Sequence, residues 1–138
     1  MEPESDARRF DSRAGEESAA VYRAALGKTI RSVRLVENAL RLNFADGSAI
    51  EFLDDEPMCC EWRYMVVCDD PLDGYAGATL LFAEIADAPS AAEDELDPYE
   101  AHKIQFLRVH TTKGVIVVSN HNEGRYWSFA LLARNVAH

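Results

Sequence analysis

Leu40-Arg41-Leu42-Asn43-Phe44 alternates apolar and polar residues strictly, Asp46-Gly47 follows, and Ile50-Glu51-Phe52-Leu53 resumes an apolar-rich run. Side chains repeat every second residue only in a strand, so this period rules out a helix here. An Asp-Gly pair between two such runs is a hairpin signal, because Gly accepts positive φ at low cost. The chain is therefore committed early to antiparallel β-structure. Ile30, Val33 and Leu35 lead into the same pattern, with a turn expected at Val36-Glu37-Asn38-Ala39. Trp62 to Cys68 reads as another strand, closed by the Pro and Gly of residues 69–74. Thr79 to Ile85 fits a strand or a short helix equally well. Ile104 to His110 alternates, Lys113-Gly114 turns it, and Val115-Ile116-Val117-Val118 is a β-branched run of the kind found in buried strands. Asn120 to Gly124 is expected to break the chain, with a last strand within Tyr126 to Ala133.

The fold class expected is mainly β: an antiparallel sandwich or open barrel of about 6–8 strands, with one short N-terminal helix. That helix is expected over residues 16–26. Glu16 and Glu17 stand at its start, its middle is rich in Ala, and Gly27-Lys28 ends it. Val21, Tyr22, Ala25 and Leu26 would form its apolar stripe. Residues 1–15 are polar and aperiodic and read as a flexible tail, leaving 16–138 as a single β-rich domain. A chain of 138 residues buries enough surface for a core without disulfides or metals.

Charge is distributed unevenly. Residues 51–100 hold fifteen acids and one base, Arg63, whereas the other 88 residues hold 9 acids and 13 bases. An acidic middle repels nucleic-acid backbones and favours cationic partners, and it also keeps a β-rich chain in solution. No apolar run reaches the roughly 20 residues of a membrane helix. The first six residues lack the hydrophobic region of a signal peptide, and three cysteines, two of them adjacent, make a poor disulfide framework. These features predict a cytoplasmic protein with no membrane and no nucleic-acid partner.

Three groups of residues carry candidate chemistry. Cys59-Cys60-Glu61 could supply zinc ligands together with His121, and His102, His110 or Cys68 could add further ligands from across a sheet. Yet no Cys-x-x-Cys or His-x-x-x-His spacing is present. The surrounding carboxylates disfavour a thiolate, which argues for packed rather than reactive cysteines. The second group is the acidic run Asp54, Asp55, Glu56 and Glu61, with Asp69, Asp70 and Asp73. It does not match the spacing of an EF-hand loop and reads as a solvated rim or a partner-binding surface. The third is Asn120 to Trp127, which gathers His121, Asn122, Glu123, Arg125 and Tyr126. It suits recognition, or acid–base chemistry through His121 and Glu123, or simply a turn ahead of a core strand. Phosphate-loop, dinucleotide and Gly-x-Ser-x-Gly signatures are absent.

The DG hairpin at 46–47, then Asp54 to Cys59-Cys60-Glu61, Gly77 to Leu80, Ile104 to Leu107 with Thr112-Lys113-Gly114, and Asn122 to Tyr126 occur in this order. Over about residues 29–133 the chain resembles a small domain-of-unknown-function family of bacteria and their phages. Members of that family carry a Cys-Cys-Glu motif after a DG hairpin and an Asn-Gly-Tyr-Tyr-type motif near the C-terminus. Here Glu123 separates Asn122 from Gly124, and Arg125-Tyr126-Trp127 follows. The resemblance implies an accessory protein without an established activity, acting in the host cytoplasm on a host protein if phage-encoded. Three readings of function follow. The first is a non-enzymatic, acidic protein-binding module without cofactor, using Asp54, Asp55, Glu56, Glu61, His121, Asn122, Arg125 and Tyr126. The second is a zinc-binding domain using Cys59, Cys60 and His121. The third is a small enzyme built on His121, Glu123 and Glu61.

Overall fold

The computed structural model describes residues 8–10, 15–54, 62–68, 71–87, 102–123 and 131–136. They form two antiparallel sheets packed as a sandwich, with no closed barrel. One sheet contains β2 (Ile30–Val36), β3 (Ala39–Phe44), β4 (Ala49–Asp54) and β9 (Leu131–Asn135), in the order β2-β3-β4-β9. The other contains β1 (Arg8–Arg9), β5 (Trp62–Val67), β6 (Leu80–Asp87), β7 (His102–Thr111) and β8 (Gly114–Glu123), in the order β1-β6-β7-β8-β5. Among the described residues this gives eight strands of five residues or more, within the expected number, and one strand of two residues. Of Thr79 to Ile85, undecided from periodicity, Leu80 to Ile85 lie in strand β6, which pairs with β7, and Thr79 forms an isolated bridge with Thr29.

The expected hairpins form. At Asp46-Gly47, Gly47 takes φ 94°. The Asp46 carboxylate accepts the Ser48 amide at 2.9 Å and the Ser48 hydroxyl at 2.6 Å. Those two bonds, with the Lys28 ammonium 3.2 Å away, lower its pKa to about 2. The β2–β3 turn is less usual. Val36 faces Ala39, and the two residues between them, Glu37 and Asn38, take φ 47° and 65°. A type I′ turn needs positive φ at both positions, which Asn tolerates and Glu does not favour.

The core is built from alternate residues. Leu40, Leu42, Phe44, Ile50 and Phe52 face inward from one sheet. Leu107, Val109, Ile116 and Val118 face them from the other. The β-branched run 115–118 is thus half core and half outer face, since only Ile116 and Val118 are fully buried.

The first residues behave differently from a tail. Helix α1 (Glu16–Ala25) ends one residue before the predicted boundary, and Leu26 is exposed rather than part of its stripe. The buried side of α1 is Ser18, Ala19, Tyr22 and Ala25, with Val21 only half-buried. Ahead of it, within the segment expected to be flexible, Arg8–Arg9 pair with Ile85 and Glu84 of β6, and Phe10 is 0% exposed. The Phe10 ring lies 5.1 Å from that of Phe52, edge-on, and 5.2 Å from that of Tyr22. The physical reason is an open sheet edge. An unpaired strand edge is costly when buried and invites aggregation when exposed. The edge of β6 is covered by Gly27 and Lys28 at Leu80, by the Tyr22 hydroxyl at Ala83, and by β1 at Glu84 and Ile85. Tyr22 accepts the Ala83 amide at 2.8 Å and donates to the Ala83 carbonyl at 3.4 Å. On the other sheet, Ser18 accepts the amide of Ala133 in edge strand β9 at 2.7 Å. Residues 8–10 and α1 therefore contact both sheets and are part of the folded domain.

No helix among the described residues is long and apolar enough to cross a membrane.

Candidate functional site

One end of the sandwich gathers the connections that matter. Asp54 closes β4 opposite Leu131, which opens β9. Trp62 opens β5 opposite Glu123, which closes β8, and Glu123 also faces His102 at the start of β7. The described residues that flank segments 55–61, 88–101 and 124–130 (Asp54, Trp62, Asp87, His102, Glu123 and Leu131) thus all stand at this end. The opposite end carries the 45–48 and 112–113 turns and the short helix of Leu72–Tyr75.

Two faces of β8 present different chemistry here. Pointing inward, Asn120 continues the row of Ile116 and Val118 and is 1% exposed. Its Nδ2 donates to Asp54 Oδ2 at 3.0 Å, which ties β8 of one sheet to β4 of the other. Its register partner on β7, Gln105, is also buried. Two buried amides and a carboxylate replace apolar residues in the last layer of the core. Such groups are tolerated inside only when hydrogen-bonded, so they mark this end as polar by construction. Beside them lies a cavity of about 200 Å³ bounded by Glu37, Asn38, Asp54, Tyr64 and Asn120. Asn38 Oδ1 accepts the Met65 amide at 3.3 Å, fixing the β2–β3 turn against strand β5.

On the outer face, the His121 ring stacks on Tyr64 with 4.6 Å between centroids and 5° between planes. His121 Nε2 is hydrogen-bonded to Ser119 Oγ at 2.8 Å. The segment from Asn120 to Glu123 is extended strand, not the expected break or turn. The ladder contacts to β5 and β7 on both sides outweigh the weak strand preference of Asn.

The structure separates several residues that the sequence grouped. Asp54 and His121 are at the same end but on opposite faces of the five-stranded sheet. Cys68 donates its amide to Val117, four residues before His121, which puts it about 13 Å along the strand from that residue and out of reach of a shared ion. His110 faces Val115 and is bonded through Nε2 to Glu84 at 2.8 Å, so it is removed from this end as well. His102 stands opposite Glu123, two residues from His121 in register. No group of three or more potential ligands is close enough to hold a metal among the described residues. Asp55, Glu56, Cys59, Cys60, Glu61, Arg125 and Tyr126 lie outside the described residues. For Asn122 and Glu123, the pairing of the strand is described.

Two clusters have no local signature in the sequence. On the outer face of the first sheet, Glu51 is 5% exposed between Arg41 and Arg134. Burial opposes its ionisation, but hydrogen bonds from Arg41 and Arg134 outweigh this and lower its pKa. On the other sheet, the Arg9 guanidinium sits 3.7 Å over Phe82, and Phe82 stacks on His110 at 4.1 Å. Each cluster draws on three strands, so only the register reveals it.

A family model matches residues 23–133 of the chain, most of its length. The chain belongs to the DUF7448 family, a domain of unknown function. The DUF7448 match begins inside α1, so β1, Phe10 and the first turns of the helix lie upstream of it although they close the core. It contains Asp54, Asn120 and His121 and reaches Ala133 in β9. No curated protein and no solved structure matches the chain.

Proposed function

We propose that this chain is a protein-binding module that meets a basic partner with the end of the sandwich formed by Asp54, Trp62, Asp87, His102, Glu123 and Leu131. The observation that carries this reading is that the strand ends flanking three connecting segments stand at one end. Those segments hold Asp55, Glu56, Glu61, Glu93, Asp94, Glu95, Asp97 and Glu100 against one base, Arg125. A concentrated field of one sign raises the encounter rate with a partner of the other sign and rejects partners of its own. The rigid sandwich supplies the platform, as binding loops on β-scaffolds require. The resemblance to a small domain family of bacteria and their phages favours a partner in a bacterial cytoplasm.

The test is affinity capture from bacterial lysate by the wild-type chain and by Asp55→Lys/Glu56→Lys. The double variant is expected to lose the partner while its thermal midpoint stays unchanged. Asp73→Lys, an exposed change at the opposite end, is expected to retain it. Capture that survives the double reversal and fails on Asp73→Lys would overturn the assignment.

A further inference from the structure

We propose that the outer face of the four-stranded sheet holds a site for an organic monoanion, a carboxylate, between Arg41 and Arg134. The site is separate from the partner proposed for the acidic end and does not depend on it. Strand register builds it. Arg34 faces Arg41, Arg41 faces Glu51, and Glu51 faces Arg134, in one row across β2, β3, β4 and β9. Three arginines and one glutamate thus share a face of a chain whose net charge is −10.

Donors outnumber acceptors in this row. Arg41 donates from Nε and Nη2 to Glu51 Oε2 at 3.0 and 2.8 Å. Arg134 donates from the same two nitrogens to Glu51 Oε1 at 3.2 and 3.1 Å. A carboxylate offers about four lone-pair sites, so these bonds use the whole accepting capacity of Glu51. A guanidinium carries more N–H donors than the two each arginine has spent, and Nη1 of neither takes part in these bonds. The paired contacts also hold each planar fork in one orientation, so the remaining donors are fixed in place. A cation would meet two guanidinium groups beside a buried carboxylate whose oxygens are already occupied. An anion supplies the acceptors that the remaining donors need.

Space and charge narrow the class further. Both arginines and Glu51 border a cavity of about 440 Å³, together with the apolar residues Val36, Leu53 and Val136. That volume takes a small organic molecule with an anionic head and an apolar body. Glu37 also borders the cavity and is exposed. Arg34 is exposed too, has no ion pair among the described residues, and adds a cation that offsets Glu37. Arg34, Arg41 and Arg134 then exceed Glu37 and Glu51 by one charge, which a single carboxylate neutralises. A phosphate dianion would bring surplus negative charge up to Glu37 in a chain that is already acidic.

The site is tested by ¹H–¹⁵N NMR titration of the full chain, at neutral pH and constant ionic strength, with benzoate, benzamide and phenyl phosphate. Benzamide has the shape of benzoate without its charge, and phenyl phosphate carries a dianion on the same ring. Benzoate is expected to shift the side-chain Nε–H signals of Arg41 and Arg134 in a saturable way. Benzamide should bind about tenfold more weakly, the effect of losing a charge-assisted contact. Phenyl phosphate should bind no more tightly than benzoate. Arg134→Gln should weaken benzoate by about tenfold. Because that change also removes bonds to Glu51, Glu37→Gln is the second variant, and it leaves the Arg41–Glu51–Arg134 contacts intact. It should tighten benzoate about twofold, with the thermal midpoint unchanged, by removing a nearby like charge. Equal binding of benzoate and benzamide, no saturable shift at Arg41 and Arg134, or a Glu37→Gln variant that binds benzoate no better than wild type would overturn the site. Tighter binding of phenyl phosphate than of benzoate would overturn the monoanion assignment.

Discussion

Replacing Phe10 by Ala tests whether residues before the helix belong to the folded domain. Phe10 is 0% exposed and touches Tyr22 and Phe52, so its removal leaves a hole between α1 and β4. Truncating a buried Phe to Ala costs about 3–5 kcal/mol, from lost transfer energy plus the cavity that neighbours cannot refill. The upper part of that range applies if the hole stays open. Its lower part applies if the short β1 detaches and α1 settles inward. A domain of this size has roughly 5–15 kcal/mol in hand, so the variant would be near the limit of stability. At roughly 3–5 °C per kcal/mol for a chain of this length, the melting midpoint should fall by about 10–25 °C. Urea unfolding followed by far-UV circular dichroism gives the free energy directly, with an unchanged slope if the native state stays compact. Arg9→Ala is the comparison, because it removes an exposed contact with Phe82 worth about 0.5–1 kcal/mol and leaves the plug in place. A Phe10→Ala variant within about 0.5 kcal/mol of wild type would refute the argument and return residues 8–10 to the status of a tail.

Three further outcomes follow from the same structure. Glu51→Gln should destabilise at neutral pH by about 1–3 kcal/mol, less than for a wholly buried pair because Arg134 is half in water. Since the folded pKa of Glu51 lies below the ordinary 4.5, its contribution is complete above that pH and is lost as pH falls through the lower, folded value. Wild type should therefore lose stability more steeply than Glu51→Gln below pH 4.5 in pH-dependent urea unfolding, and parallel slopes would contradict the triad. Asp46 adds a second loss between pH 3.8 and about 2, which Asp46→Asn should remove. Glu37→Asn should raise stability by about 0.5–1 kcal/mol, because Asn accepts positive φ better than Glu. A thermal midpoint at or below wild type would contradict the strain argument.

Much of the fold was legible because strands with one dry face write their period into the chain. Leu40-Arg41-Leu42-Asn43-Phe44 and Asp46-Gly47 predict a hairpin that the structure contains, residue for residue in register with β4. The turn at Glu37-Asn38 was placed correctly, but nothing local announced that Glu37 would take φ 47°. Asn120 misleads: Asn120, His121 and Asn122 shortly before a glycine resemble a turn, and the strand continues to Glu123 because β5 and β7 pair on both sides. Residues 8–10 depart from the expected tail for a related reason. Arg8, Arg9 and Phe10 are too few to show a period, and their place depends on a β6 edge more than 70 residues away.

Of the candidate site, the sequence supplied ingredients without a geometry. Asp54 and His121 were singled out, yet they face opposite sides of a sheet, and the partner of Asp54 is Asn120, 66 residues on. By itself the sequence determined the β class, the hairpin at 46–47, the helix near 16–25 and the acidic middle, because each follows from neighbours within about ten residues. Only the tertiary structure decided which strand ends share one face of the molecule, which acids border a cavity, and which arginines neutralise Glu51. Those relations depend on strand order and register. Both are fixed by how two sheets bury their apolar faces together, which no single segment encodes.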